Sequence, residues 1–270
     1  MVRERESQVI TSAANPLIKR LRLLGDRKQR RRESAFVVQG IQPVWQAVEA
    51  GADVETLIIA PGLLRHAGAL AMVAAEESAG VQVVRLSDEL FGRIADRDGP
   101  SGLAAIVRSA PIALSGMRVT PGAVFVALHE AGNPGNIGTI IRTANAAGAA
   151  GVIQIGPSAD PYDPVAVKAS MGALFATPVA AVATAAEFLH WAGVHEVRVV
   201  ATPGRASESL WDADLRPPLA VLLGSEGAGL PEDVLAAADL RVAIPMTGTA
   251  ESLNLAVAAG ILLFEISRRY

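Results

Sequence analysis

Short runs of aliphatic and β-branched residues alternate along the chain with longer stretches whose apolar positions recur every three or four residues, the rhythm of strands followed by helices. From Asn15 to Arg32, Leu17, Ile18, Leu21 and Leu24 form an apolar stripe, with Lys19, Arg20, Arg22 and the run RKQRRR gathered around it. This spacing predicts one basic amphipathic helix. There follow strand FVVQG (36–40), a helix from Pro43, strand VETLIIA (54–60), an Ala-rich helix to Ser78, strand VQVVRL (81–86), helix LSDELFGRIA (86–95) and strand GLAAIVR (102–108). Residues 1–108 are therefore expected to form a small α/β domain. Residues 109–122, SAPIALSGMRVTPG, mix Pro, Gly and Ser without periodicity and are expected to be a linker.

The alternation restarts over 123–270. Strand AVFVALHE (123–130) meets the loop AGNPGN (131–136), then helix 137–148, strand GVIQI (151–155), helix 163–174, strand 176–182 and helix 185–193. Strands 196–202 and 219–224 flank the segment around Trp211, and strand RVAIP leads through IPMTGTAESLN (244–254) into a helix from Ser252 to about Phe264. Leu253, Val257, Ile261 and Phe264 recur there at helical spacing, predicting a face turned inward. The pattern predicts a mostly parallel sheet covered by helices, with helix 163–174 among them. No internal repeat or low-complexity tract interrupts it.

With 51% hydrophobic residues in 270, the chain has ample material for sizeable cores. Cysteine is absent, which rules out disulfides and thiolate chemistry and agrees with a cytoplasmic location. No apolar run reaches membrane-spanning length, and MVRERESQ lacks a secretory apolar core. The net charge of −3 hides an asymmetry: residues 1–40 hold ten Lys/Arg against four acids, hence +6, leaving −9 for the remainder. Lys19, Arg20, Arg22, Arg27, Lys28, Arg30, Arg31 and Arg32 are thus candidates for an RNA backbone, although a charge run also serves as a solvated helix face.

Three polar clusters stand at strand-to-helix crossings, where open α/β sheets bind ligands. The first is Asn133-Pro134-Gly135-Asn136-Ile137-Gly138, with Asn136 expected as helix cap and Arg142 following one turn beyond Gly138. Leu222-Leu223-Gly224-Ser225-Glu226-Gly227-Ala228-Gly229 is the second; its G-x-x-G-x-G spacing after a late strand suits a dinucleotide fingerprint poorly, and Glu226 would repel a pyrophosphate while attracting a cation. In the third, Thr247, Thr249, Glu251, Ser252 and Asn254 crowd one turn, which an ordinary capped helix start with Ser252 as N-cap would also explain. The four histidines, His66, His129, His190 and His195, are scattered and read as structural, and no metal cluster is expected.

Taken in order, N-P-G-N-I-G-x-x-x-R, L-L-G-S-E-G-x-G and I-P-M-x-G-x-x-E-S-L-N resemble motifs one to three of the SpoU (TrmH-like) branch of the SPOUT methyltransferases, from about Val124 to Phe264. S-A-A-N-P-L-I-K-R-L-R-x-L and R-K-x-R-R-R-E-S-x-F-V-V-Q-G likewise resemble the substrate domain many members carry, related to small RNA-binding ribosomal proteins. Gln39, where relatives often have Glu, and His129, where an acid is common, depart from the pattern.

The resemblance implies a deep trefoil knot in a parallel-sheet domain and a homodimer that builds the active site. It also implies S-adenosylmethionine held by Leu222, Gly224, Ile244, Met246, Ser252 and Leu253. Arg142 is the family's catalytic arginine by position, with Asn136, Glu226, Ser252 and Asn254 expected to hold it and the ribose. Methyl transfer to a ribose 2′-oxygen is an in-line displacement that needs alignment and proton removal but no metal. Because a guanidinium stays protonated, Arg142 serves either as an awkward base or by orienting phosphate or polarising the oxygen. The expected activity is RNA 2′-O-ribose methylation, on 23S ribosomal RNA ahead of transfer RNA. A non-catalytic RNA-binding assembly factor and a nucleotide-dependent oxidoreductase are the competing classes.

Overall fold

The computed structural model describes residues 9–95, 99–204, 206 and 208–270. The chain forms two compact units, one made of residues 1–110 and 162–175, the other of 111–161 and 176–270. Among the described residues, no helix is long and apolar enough to cross a membrane.

The first unit starts with two helices where the periodicity predicts one: α1 (Pro16–Leu23) and α2 (Arg27–Glu33). The break follows from local chemistry. The Asp26 carboxylate accepts from the backbone N–H groups of Lys28 and Gln29 at 2.8 and 3.2 Å, so it starts a new helix instead of continuing the old one. Arg30 closes the turn from below, its Nη1 donating to the carbonyls of Leu24 and Gly25 at 3.1 and 2.8 Å. The stripe residues Ile18, Leu21 and Leu24 are buried, and Leu17 packs at their margin.

Next come β1 (Ala35–Gln39), α3 (Ile41–Glu49), β2 (Val54–Ile59), α4 (Ala67–Ser78), β3 (Gln82–Arg85), α5 (Asp88–Ile94) and β4 (Leu103–Arg108). The strands form a mixed sheet in the order β1-β4-β2-β3, with β4 antiparallel to both neighbours and β2 parallel to β3. Ile58, Phe91 and Ile106 join the helical stripe in one core. At the sheet edge Arg20 bonds Glu33 at 2.7 Å and Glu55 through both terminal nitrogens, while Arg108 pairs with Glu55 at 2.9 Å. The hydrogen bond from Arg20 holds the Glu55 carboxyl below the usual range against a smaller upward push from burial.

The second unit opens with residues that the sequence marks as linker: Ile112 bridges Ala180, a 3-10 turn covers Leu114–Gly116, and Met117 enters the core. After β5 (Val124–His129), α6 (Pro134–Ala146) and β6 (Gly151–Ile155), the chain passes through α7 (Pro164–Ser170) and a 3-10 turn, Ala173–Phe175. This segment does not cover the parallel sheet, as its amphipathic pattern predicts. It packs on β1 within the first unit, where the Phe36 ring lies 4.7 Å from Tyr162 and 6.1 Å from Phe175. Gly172 (φ +93°) permits that approach, since a Cβ there would sit 2.7 Å from Gln46 Cβ.

The chain then forms β7 (Val179–Val182), α8 (Ala185–Val194), β8 (Arg198–Ala201), β9 (Glu208–Ser209), β10 (Leu219–Leu223), α9 (Glu232–Ala236), β11 (Leu240–Ala243) and α10 (Leu255–Arg269). The short β9 and α9 carry too few periodic residues to be predicted. All seven strands are parallel, in the order β7-β6-β5-β10-β8-β11-β9. The α/β class with a smaller N-terminal domain is as the sequence predicts. One face of the sheet buries Phe125, Ile153, Phe188, Trp191 and Leu222. On α10, Leu255, Ala256, Ala259, Leu262, Leu263 and Ile266 are buried, while Val257 and Phe264 are 52% and 53% exposed. The inward face is therefore rotated from the predicted stripe, and it brings Leu255, Ala259, Leu262 and Ile266 inside while α10 lies against α6.

Phe36 on β1 meets Tyr162 and Phe175, which flank α7, so Phe36→Ala should lower the unfolding free energy by about 3–5 kcal/mol and speed proteolysis within 162–175. Urea titration and limited proteolysis read both effects; a change below about 1 kcal/mol would show that this packing does not hold the segment.

Candidate functional site

Strand order reverses where β10 enters between β5 and β8, so the loops leaving the carboxyl ends of β5 and β10 emerge side by side at a topological switch point. After β5 the chain turns at Glu130 (φ +51°) and enters α6. Asn133 caps this helix, its Oδ1 accepting from the N–H groups of Gly135 and Asn136 at 2.8 and 3.2 Å. The predicted cap, Asn136, lies inside the helix instead. Asn-Pro carried the signal, because proline at the first helical position assigns the cap to the residue before it.

Released from capping, the Asn136 amide works in both directions. Its Nδ2 donates to Glu226 Oε1 at 2.9 Å and its Oδ1 accepts from Asn254 Nδ2 at 3.1 Å. Glu226 Oε2 also accepts from the Gly132 N–H at 3.3 Å. Asn254, not Ser252, is the N-cap of α10, accepting from the N–H groups of Ala256 and Val257 at 2.9 and 3.3 Å. All three polar clusters are thus joined through one amide. Partial burial pushes the Glu226 carboxyl up, but the Asn136 amide and the backbone N–H groups of Glu226, Gly132 and Asn133 together hold it below its ordinary value.

Behind this network lies a cavity of ≈ 630 Å³, within the range for small-molecule sites. Gly224, Ile244, Met246, Ser252 and Leu253 line it. Leu222 does not: it faces the core with Phe125 and Trp191, and the adjacent Leu223 lines the cavity, as strand alternation requires. The Leu222 carbonyl accepts from Thr202 N and Oγ1, both at 3.0 Å, and Thr202 also lines the cavity.

Gly224 forms a cradle. A Cβ there would sit 2.5 Å from Leu230 N and closer still to the Gly229 carbonyl, so only glycine lets the turn Ser225–Gly229 fold over it. That turn is closed by Ser225 N to Gly229 O and Gly229 N to Ser225 O, at 3.2 and 3.1 Å. Among the described lining residues the charges are Glu226 and Glu251, with no cation. The site therefore suits a ligand with an apolar or heteroaromatic body and a positive centre, and it opposes a pyrophosphate.

Arg142 is exposed on α6, is not among the cavity's lining residues, and makes no hydrogen bond or ion pair among the described residues. The Glu226 side chain, which the resemblance assigns to holding Arg142 and the ribose, accepts from Asn136 and the Gly132 N–H. Of the basic residues, Arg20 and Arg30 are committed internally, the latter only 4% exposed and paired with Asp163 at 3.3 Å. Lys19, Arg22, Arg27, Lys28, Arg31 and Arg32 are exposed on α1 and α2. His129 is buried with its Nδ1 unpartnered, and the described residues contain no His/Cys/Asp/Glu group able to hold a metal ion.

Residues 123–264 match the SpoU rRNA Methylase family, and residues 15–105 match the MRM3-like substrate binding domain. A 23S rRNA (uridine(2479)-2′-O)-methyltransferase of Streptomyces viridochromogenes is 34% identical over 92% of this chain and 87% of its own. A Bacillus subtilis 23S rRNA (guanosine(2553)-2′-O)-methyltransferase is 26% identical over 95% of this chain and 98% of its own. The crystal structure of an AdoMet-bound rRNA methyltransferase from Sinorhizobium meliloti superposes with a TM-score of 0.87 at 35% identity, covering 97% of this chain and 98% of that one.

Because the folded Glu226 carboxyl titrates below the unfolded one, its contribution to stability is in place above about pH 4.3 and fades as pH falls through the lower folded value. Glu226→Gln should therefore lower the urea midpoint at pH 7, and the difference from the parent should shrink as pH falls below about 4.3. Equal midpoints at pH 7 would remove the carboxylate from the network.

Proposed function

The chain belongs to the SpoU rRNA methylase family, and from that premise we propose that it transfers a methyl group from S-adenosylmethionine to a ribose 2′-hydroxyl of 23S ribosomal RNA. The single observation that carries the reading is the joining of all three motif loops, through Asn136, beside a cavity whose charged lining among the described residues is acidic. A dinucleotide oxidoreductase would need the opposite electrostatics. An RNA-binding factor without chemistry would have no need for an intact cavity and polar network.

S-adenosylmethionine supplies an electrophilic methyl group on a sulfonium. The Gly224 cradle, the apolar walls of Leu223, Ile244 and Leu253, and the carboxylates of Glu226 and Glu251 fit such a cation with an aromatic base. Met246 and Ser252 complete the wall. The Asn136, Glu226 and Asn254 chain fixes the rim against which a ribose is aligned. Arg142 brings a planar cation to the 2′-oxygen or its flanking phosphate, where it lowers the cost of the charge that develops as the proton leaves.

The site is completed in a homodimer. Arg142 stands away from its own chain's cavity, and the neighbouring helix α10 exposes Val257 and Phe264, which supports a second copy covering this face and receiving the arginine. The segments 224–230 and 244–254 are the loops of the trefoil knot in this proposal. Residues 1–108 bind the substrate RNA through the exposed cations of α1 and α2, 109–122 lead into the methyltransferase domain 123–270, and the enzyme acts in the cytoplasm.

S-adenosylmethionine should raise the melting temperature, and NAD should leave it unchanged. Ribose-methylation mapping of RNA from a deletion strain should lose one 2′-O-methyl position in 23S rRNA; an unaltered map, or a loss confined to transfer RNA, would overturn the target.

Arg142→Ala should bind S-adenosylmethionine with little change while single-turnover methylation falls at least about a hundredfold. Mixing it with a cofactor-binding-defective chain should restore part of the activity. Loss of cofactor affinity in step with rate would take Arg142 out of the chemical step, and no recovery in proven heterodimers would mean that each chain builds its own site.

A further inference from the structure

The first unit contains a second cavity, of ≈ 290 Å³, whose floor is apolar and whose rim is basic. Phe91 and Val167 contribute to the floor, Gln39 contributes a side-chain amide, and Arg22, Arg93 and Lys168 stand around it. Among the described residues that line it, none is acidic. Arg93 meets Glu89 at 2.6 Å on the exposed side of α5.

Three cations around an apolar slot match neither a plain core defect nor a solvated helix face. A core defect has no charged lining, and a solvated face has no hollow. Gln39 is held across the slot by its Nε2, which donates to the Ile94 carbonyl at 3.2 Å. A fixed amide in an apolar recess offers a base edge something to read, and the cations satisfy the phosphates on either side. The volume limits the occupant to something the size of one nucleotide. Arg22 also belongs to the exposed basic surface of α1, so the recess is continuous with the surface proposed to carry the RNA backbone.

We infer that this recess takes one unpaired nucleotide of the substrate RNA, its base on Phe91 and Val167 beside the Gln39 amide and its flanking phosphates on Arg22, Arg93 and Lys168. The inference rests on the RNA-directed function proposed above. Unpaired bases are the usual carriers of sequence information in RNA recognition, because their edges and faces are open to side chains. The recess thus selects the substrate at a distance from the methylated ribose, while the helical cations supply affinity without sequence preference.

The test is binding, read by fluorescence anisotropy on the full chain without cofactor and so independent of turnover. Hexauridylate, hexaadenylate, hexacytidylate and hexaguanylate are the probes, beside a fully paired RNA duplex and hexaglutamate. At least one single strand should bind more tightly than the duplex and hexaglutamate. The double variant Arg93→Ala/Lys168→Ala, with both side chains exposed and its fold verified by an unchanged melting temperature, should weaken that strand about tenfold or more and reduce the salt slope by about one to two. Gln39→Glu should change the ranking among the four strands. Unchanged affinity in the double variant, equal binding of the duplex, or hexaglutamate binding as tightly as RNA would each overturn the inference. Recess-dependent RNA binding alongside an unaltered ribose-methylation map would leave it standing and overturn the proposed reaction instead.

Discussion

The second unit depends on one side-chain amide. Asn136 gives a hydrogen bond to Glu226 and takes one from Asn254, so three loops remote in sequence share a single planar group. Each loop follows a strand of the parallel sheet, and such loops have no partner strand to fix them. An aspartate would lose the donor that meets Glu226 and set two carboxylates together; a leucine would leave Glu226 and Asn254 unsatisfied. The amide also explains why the cap of α6 falls on Asn133: a residue cannot both cap its helix and span two neighbouring loops. The cavity wall, the Gly224 turn and the start of α10 all follow from where this group stands.

How much of this was legible in sequence varies with the physics involved. Strand runs such as GVIQI coincide with β6 because a strand buried on both faces needs an unbroken aliphatic run. The three motif loops were legible as polar clusters with glycine, and their residues do meet. The caps lie two or three residues from their expected places: Asn133-Pro134 marks the first in sequence, whereas Ser252 and Asn254 are equally good acceptors until the backbone is seen. The break at Asp26 was hidden because no apolar residue lies between Leu24 and Ala35 to reveal a change of phase. Leu222 and Leu223 could not be separated without knowing which face of β10 meets the cavity. The fate of α7 was beyond any periodicity argument: an amphipathic helix announces that it needs an apolar surface, but not which one.

The basic segment shows how far a charge count differs from a usable surface. Arg20 is bonded to Glu33 and Glu55, and Arg30 is buried on the carbonyls that end α1, so both are part of the scaffold that holds the remaining cations outward. A guanidinium suits this work, having five donors in a rigid fork with which to satisfy several acceptors at once. Lysine dominates neither position, and the exposed residues of α1 and α2 include both types.

The segment 162–175 leaves the polypeptide of the parallel sheet and completes the N-terminal unit, with Tyr162 and Phe175 against Phe36. The N-terminal unit is therefore discontinuous in the gene. A recombination event that exchanged only the first hundred or so codons between relatives would separate Phe36 from the aromatic residues that match it, leaving an apolar surface bare on each half. The two units are thus inherited together, and change in the first is more readily reached by substitution on the existing scaffold than by swapping a terminal domain.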